Sequence, residues 1–183
     1  MDTLSVLRKE TRAIHDRLEK LSGVDLIIDG TVTTSQYNTI LKNNYHSYHT
    51  VERNLKPYGY ISKYATRILK DLNETDEELP AANINSYSLD SELEALGATY
   101  VILGSQMGAA IIARALEDCK FLINEPQQFY RKPTAFESKQ WPHFLKQMNS
   151  VETSTTNQWE IISGALKTFS LFEQQFTDHP VQR

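Results

Sequence analysis

Leu96-Gly97-Ala98-Thr99-Tyr100-Val101-Ile102-Leu103-Gly104-Ser105-Gln106-Met107-Gly108-Ala109-Ala110 is a helical run in which two of the three glycines, Gly104 and Gly108, lie one turn apart in the interior. Each interior glycine costs about 1 kcal/mol against alanine. A sequence that accepts that cost twice either bends its helix there or lets something approach the backbone closely. The flanking residues are apolar, so the visitor is a flat, apolar molecule or a second helix. A small-x-x-x-small pair serves both uses, and the spacing alone leaves both open. Asp90 or Ser91 opens this long helix, which is expected to run through Leu116 with an interruption at the glycine pair.

Outward from this stretch the chain keeps reading as helix. Residues 3–21 place Leu4, Leu7, Thr11, Ile14, Leu18 and Leu21 on one face, and Ser22-Gly23 ends them. Thr33 with Gln36 forms a capping box. It opens a second helix that turns Tyr37, Ile40, Leu41, Tyr45, Tyr48 and Val51 inward and stops near Pro57. A third helix is expected over 60–72, with Tyr64, Ile68 and Leu72 on its stripe. Residues 74–78 with Pro80 read as a solvated loop, and 120–134 as loop with a short turn. A helix around 141–149 tolerates Pro142 in its first turn. A last helix opening at Asn157 carries Trp159, Ile162, Leu166, Phe169, Phe172 and Phe176 on its apolar side. Residues 24–28 are the one segment with any case for a strand. The expected architecture is all-α: a single domain over 1–183, six or seven helices packed as a bundle, with 177–183 a frayed tail.

Composition narrows the function classes. The 183 residues are 40% hydrophobic and 23% charged, enough for one domain with a real core. A formal net charge of −4 argues against a general nucleic-acid binder. The one cysteine, Cys119, can form no internal disulfide, which fits a reducing compartment. No apolar run approaches the ~20 residues of a bilayer span, and the first residues lack the apolar core of a secretory signal. The expectation is a cytoplasmic protein with neither membrane nor nucleic acid as partner.

The second informative feature is His15, on the first helix. Arg8 lies two turns before it on the same side, Arg12 three residues before it, and Glu19 one turn after it. A histidine that binds a metal through one ring nitrogen donates its other N–H to a carboxylate, a carbonyl or water. Glu19, at i+4, reaches that position, and Arg8 and Arg12 are placed to hold anionic groups. A helix with an accessible backbone and a second helix offering an imidazole are the two walls of a haem slot. The same spacing also describes a partly buried helix histidine among surface charges. Tyr45, His46, Tyr48 and His49 cluster on the second helix, where tyrosines at helical spacing are core residues first. Without an acidic cluster, His46 and His49 support no mononuclear non-haem metal site. Phosphate-binding glycine loops, a Gly-x-Ser-x-Gly elbow and paired-cysteine motifs are all missing.

Taken together and in order, these segments resemble one family, the haem (heme) oxygenases, from Leu7 to about Phe176. Residues 7–19, Leu-Arg-Lys-Glu-Thr-Arg-Ala-Ile-His-Asp-Arg-Leu-Glu, are similar to the family's proximal helix. Residues 33–52, with Tyr45-His46-Ser47-Tyr48, are similar to its second helix, and residues 103–109 to its distal helix. Leu96-Gly97 and Tyr100-Val101 ahead of Gly104-Ser105 look like the bacterial branch. Met148-Asn149-Ser150-Val151-Glu152 and the Phe-rich last helix fall in register.

The resemblance implies haem between a proximal helix and a glycine-kinked distal helix. His15 is then the axial iron ligand and Glu19 its hydrogen-bond partner. Arg8, Arg12 and Lys146 stand on the propionate side, while Gly104 and Gly108 let the backbone lie against the haem face. The implied reaction opens haem, both cofactor and substrate, to biliverdin, carbon monoxide and ferrous iron. It uses oxygen and electrons from a ferredoxin or an NAD(P)H-dependent reductase. Two departures stand out. Ser105 occupies a position where several members carry an aspartate that orders a water network. Leu145, Lys146 and Gln147 replace the usual basic contacts before the Met-Asn-Ser run. Two other readings share these residues: a haem carrier or sensor on the same fold, and a haem-free thiaminase-like helical enzyme, for which Cys119 is a poor nucleophile.

Overall fold

Four helices begin on a side-chain cap; Thr33 and Ser91 are read from the sequence, and Asp2 and Ser154 are found in the structure. Asp2 accepts from the Ser5 N–H at 3.0 Å and opens α1 (Thr3–Leu21). Thr33 and Gln36 close their capping box, at 2.7 and 3.3 Å, on α3 (Thr34–Leu55). Ser91 caps α5 (Glu92–Glu117), and Ser154 caps α7 (Thr155–Asp178). Each such cap contributes about 1 kcal/mol by satisfying an orphan N–H. With α2 (Val24–Ile28), α4 (Tyr64–Leu72) and α6 (Gln140–Ser150), these make seven α-helices and no strand among the described residues. The structure is a computed structural model that describes residues 2–60, 62–73, 79, 86–119 and 127–183. The acidic stretch 74–78 with Pro80, and residues 120–126 of the expected loop, lie outside the described residues.

Several expectations are corrected. Val24–Ile28 is a one-turn helix, not a strand. Gly23 and Gly30, at φ +72° and +68°, bracket it, and Val-Asp-Leu-Ile-Ile does not alternate as a half-buried strand must. The third helix begins at Tyr64, not at Tyr60; a 3-10 turn (Lys56–Tyr58) ending on Gly59 at φ +78° precedes it. Glu52 then fixes the start, accepting from the Ser62 hydroxyl and, at 2.8 Å, from the Tyr64 N–H. The glycine pair does not interrupt α5, which is one α-helix through both residues. The last helix starts ahead of Asn157, at Thr155; on it Trp159 is 57% exposed, outside the expected apolar side, and Ile161 is buried.

The tail is not frayed. Val181 is buried, Gln36 Nε2 donates to the Gln182 carbonyl, and Arg183 pairs with Asp25 at 2.8 Å.

The centre of the fold is α7, which packs against α5, α1 and α3; α4 lies on α3, and α6 on α5 and α1. α5 and α7 meet where Gly97 faces α7 and Gly164 faces α5. A Cβ at Gly97 would overlap the Ile161 carbonyl and lie 2.8 Å from the Ala165 nitrogen; one at Gly164 would overlap the Glu94 carbonyl. The crossing is clamped by polar groups. The Glu94 carboxylate accepts from Ser163 Oγ at 2.9 Å and Lys167 Nζ at 2.7 Å. Around it Leu7, Ile161, Ile162 and Ala165 are almost fully buried, each large aliphatic side chain contributing about 1.5–3 kcal/mol.

By length and composition α5 is apolar enough to cross a membrane, with a mean hydropathy of 1.5 in its best window, contrary to the sequence expectation. Only 44% of that window is buried. Its first half is apolar because it is core. Its second half leaves Met107 and Ile111 each 65% exposed and faces a cavity.

Candidate functional site

That cavity has a volume of about 530 Å³ and lies between α1 and the second half of α5. Phe169, Phe172 and Phe176 of α7 line it, with Asn44 and Tyr48 of α3. Arg8 of α1, Val24 and Ile28 of α2, Tyr100, Ile111 and Ile112 of α5, and Trp141 of α6 also line it. Its size and apolar, aromatic lining suit a flat ligand of some tens of atoms.

The α1 wall presents His15, half exposed and set edge-on to Phe169 with ring centroids 5.9 Å apart. The Nδ1 atom lies 3.7 Å from both Asp16 Oδ1 and Glu19 Oε1. That is beyond hydrogen-bond length but within reach of a small side-chain adjustment. The two carboxylates are not equivalent. Arg12 Nε bonds both oxygens of Asp16, at 2.8 and 3.0 Å, and holds its carboxyl below the ordinary range. Glu19 has no such cation and lines the cavity. These three residues are the one group of metal-ligand type among the described residues. With Asp16 occupied by Arg12 and Nδ1 facing Glu19, the imidazole's other nitrogen is the ligand this wall can offer.

The α5 wall presents bare backbone. A Cβ built at Gly104 or Gly108 meets nothing within 4 Å, although both residues line the cavity. Close packing of a second helix, the alternative use of such a pair, is therefore met at Gly97 and Gly164 and not here. Next to Gly104, the Ser105 hydroxyl donates to the Ile102 carbonyl at 2.7 Å. It has one hydrogen, so Tyr48, at 2.6 Å, must donate to it. Burial pushes the Tyr48 phenol well above its ordinary value, so it stays protonated and a donor. Ser105 keeps one free lone pair and no free hydrogen.

Of the residues singled out in the sequence, the cavity gathers His15, Glu19, Arg8, Gly104, Ser105 and Gly108. It does not gather Arg12, which is tied to Asp16, or Lys146, exposed on α6. Sequence reasoning missed Asn44, Gln106, Phe129 and Trp141, and placed Tyr48 in the core alone. Tyr48 is indeed buried, ringed by Tyr64, Phe129 and Phe172 at 5.1–5.4 Å. Only its hydroxyl reaches the site, and helical periodicity carries no signal for that. Cys119 is buried with its thiol against the Ala115 carbonyl, and burial raises its pKa. Both are unfavourable for a nucleophile.

Comparison with known proteins gives the family and the fold. The family profile described as heme oxygenase matches residues 1–76 and 58–178. No curated protein matches the sequence. Among solved structures, a heme oxygenase from Leptospira interrogans is similar at TM-score 0.79 and 17% identity, covering 97% of this chain and 100% of that one. The Neisseria meningitidis heme oxygenase, solved with NO and CO bound, gives 0.73 and 19%, covering 98% and 92%. A cyanobacterial one from Synechocystis, in complex with heme, gives 0.69 and 17%, covering 97% and 92%.

Proposed function

The chain belongs to the heme oxygenase family, and from that premise we propose that it opens haem oxidatively to biliverdin, carbon monoxide and ferrous iron. Oxygen is the co-substrate, and a ferredoxin or an NAD(P)H-dependent reductase supplies the electrons. When bound, haem supplies both the iron that activates oxygen and the macrocycle that is cut.

One juxtaposition carries this reading: an imidazole on α1 and a side-chain-free backbone on α5 face each other across one apolar cavity. The donor set fits the group. His15 would offer a ring nitrogen as ligand, and Glu19, 3.7 Å from Nδ1, would accept a hydrogen bond from Nδ1–H after a small side-chain adjustment, fixing the tautomer and strengthening the ligand. Phe169 limits rotation of the ring. Gly104 and Gly108 let a flat ligand rest on the helix backbone. Tyr48, Ser105 and Gln106 supply the polar character on the α5 side, and all three are neutral. Ser105's free lone pair is placed to accept from a water, which would keep a proton near the reacting face without a strong acid there. In this chain Ser105 and Tyr48 together take the place that an aspartate holds in several members. The lone buried thiol of Cys119 supports a cytoplasmic setting.

The test is one equivalent of hemin, followed by a reductase system, oxygen and catalase. Catalase removes free peroxide, which degrades haem without an organised site. The expected result is a strong Soret band that bleaches to the broad red absorption of biliverdin, with carbon monoxide released. His15→Ala is expected to lose the imidazole-ligated spectrum and to recover it with added imidazole. A Soret band that persists with competent reductase present would leave a carrier, and no specific band at all would leave a haem-free protein.

A further inference from the structure

We propose that Asp71 of α4, which does not line the cavity, is a positioning residue for the reaction. It fixes Phe129 against Tyr48 and so keeps the Tyr48 hydroxyl on Ser105. The proposal rests on the haem reading above and adds to it a residue behind the cavity wall.

α4 contributes no side chain to the lining, yet it holds a segment that does. The Asp71 carboxylate accepts from two successive backbone N–H groups, Gln128 on Oδ1 at 2.7 Å and Phe129 on Oδ2 at 2.8 Å. Both oxygens are engaged, each in a charge-assisted bond, so the two peptides are fixed as a pair. Residues 127–134 form no helix or strand, and their N–H groups need partners from outside regular structure. Further along, Glu137 ties the same segment to α4 again. It pairs with Arg67 of α4, and with Arg131 at 3.0 Å. Between the two ties lie Phe129 and Tyr130, both buried and both in the cavity lining.

The Phe129 ring stands edge-on to Tyr48, with centroids 5.3 Å apart. Tyr64 of α4, at 5.4 Å, and Phe172 of α7, at 5.1 Å, complete the enclosure of the Tyr48 ring. A phenol enclosed in this way has its hydroxyl direction set by the rings around it. Here that hydroxyl meets Ser105 at 2.6 Å. If Phe129 slackens, one side of the enclosure opens, and a displacement of about 1 Å takes the hydroxyl out of bonding range. Asp71 thus acts on the α5 wall through a chain of contacts: carboxylate to peptide, ring to ring, hydroxyl to hydroxyl.

The central variant is Asp71→Asn. It keeps the size of the side chain, but its amide accepts through one oxygen and sets an NH2 group against the other N–H. In the ligand-free protein the Gln128 and Phe129 amides should exchange with solvent about ten-fold faster or more, read by NMR. Hemin affinity should stay within about two-fold of the parent while kcat falls about five-fold or more. That loss travels through Tyr48 and Ser105, so Asp71→Asn should add no further loss of kcat in a Ser105→Ala background. Asp71→Glu keeps both acceptors and displaces them by one methylene. It should show the same pattern with smaller losses, and it decides the case if Asp71→Asn does not fold. A carboxylate that only stabilises the fold would leave the ratio of kcat to affinity unchanged, and its effect would multiply with that of Ser105→Ala. Either result would overturn the proposal, as would unchanged exchange at Gln128 and Phe129, or a Ser105→Ala variant with the parent's kcat. Failure of the parent itself to turn hemin over would instead remove the haem reading, and this role with it.

Discussion

At Gly97 a side chain has no room, because another helix fills the space; at Gly104 and Gly108 there is room, and the chain leaves it empty. All three residues lie on α5 and look alike in sequence. The first half of the helix is spent on cohesion. Its small residues let α7 cross at backbone distance, and Glu94 locks the crossing through Ser163 and Lys167. The second half is spent on access. It gives up core contacts, leaves Met107 and Ile111 exposed, and keeps the backbone reachable from the cavity. One helix thus anchors the fold at one end and forms a binding wall at the other. Interior glycine marks both uses and does not tell them apart.

Substitution should separate the two halves. Gly97→Val is expected to have the largest effect, because its side chain meets the Ile161 carbonyl, which cannot move without moving α7. A loss of about 3 kcal/mol or more, or failure to fold, should appear in thermal melting followed by circular dichroism. If Gly97→Val melts like the parent, the crossing is looser than the geometry states. Gly108→Val should do the reverse. Helical content and melting temperature stay level or rise slightly, since valine is the better helix former by a few tenths of a kcal/mol. Hemin affinity falls about ten-fold or more as the wall is obstructed. Normal hemin binding by this variant would assign Gly108 to helix formation alone.

Ser105→Ala is a milder probe of the access half. It removes the acceptor for Tyr48 and the lone pair facing the cavity. Turnover should drop more than hemin affinity, the separation being read from kcat against Soret titration. Equal losses in both would mean that Ser105 supports the ligand and not a water.

The smallest effect is expected at the cohesive half under acid. Burial pushes the Glu94 carboxyl up, but Lys167, the Asp90 N–H and Ser163 together outweigh it and leave its pKa below the ordinary value of 4.5. A carboxylate with a depressed native pKa adds stability that is fully present above its unfolded value. That stability is lost as pH falls through the native one. Glu94→Gln should therefore lower the melting temperature modestly at pH 7 and converge with the parent in more acidic buffer. A constant difference from pH 7 down to strongly acidic buffer would show that the carboxylate's charge contributes nothing.

The sequence by itself determined the helices. The capping box at Thr33, the cap at Ser91 and apolar stripes at helical spacing are local signals, and local hydrogen bonding answers to them. It also determined that His15, Glu19, Gly104 and Gly108 were worth attention, since an imidazole with a carboxylate one turn away and unexplained interior glycines each imply a partner. Short-range errors came where tertiary contacts overrule propensity. Residues 24–28 form a helix that packs on α5 with Ile27 buried, and the pairing of Arg183 with Asp25 holds a tail that composition alone would let fray. Only the tertiary structure decided which glycines face α7 and which face the cavity. It alone joined Tyr48 of α3 to Ser105 of α5, and it turned Phe169 of α7 edge-on to His15 of α1. Each of these depends on the direction of a side chain in space relative to a helix distant in sequence, and periodicity along one helix does not encode what stands opposite it.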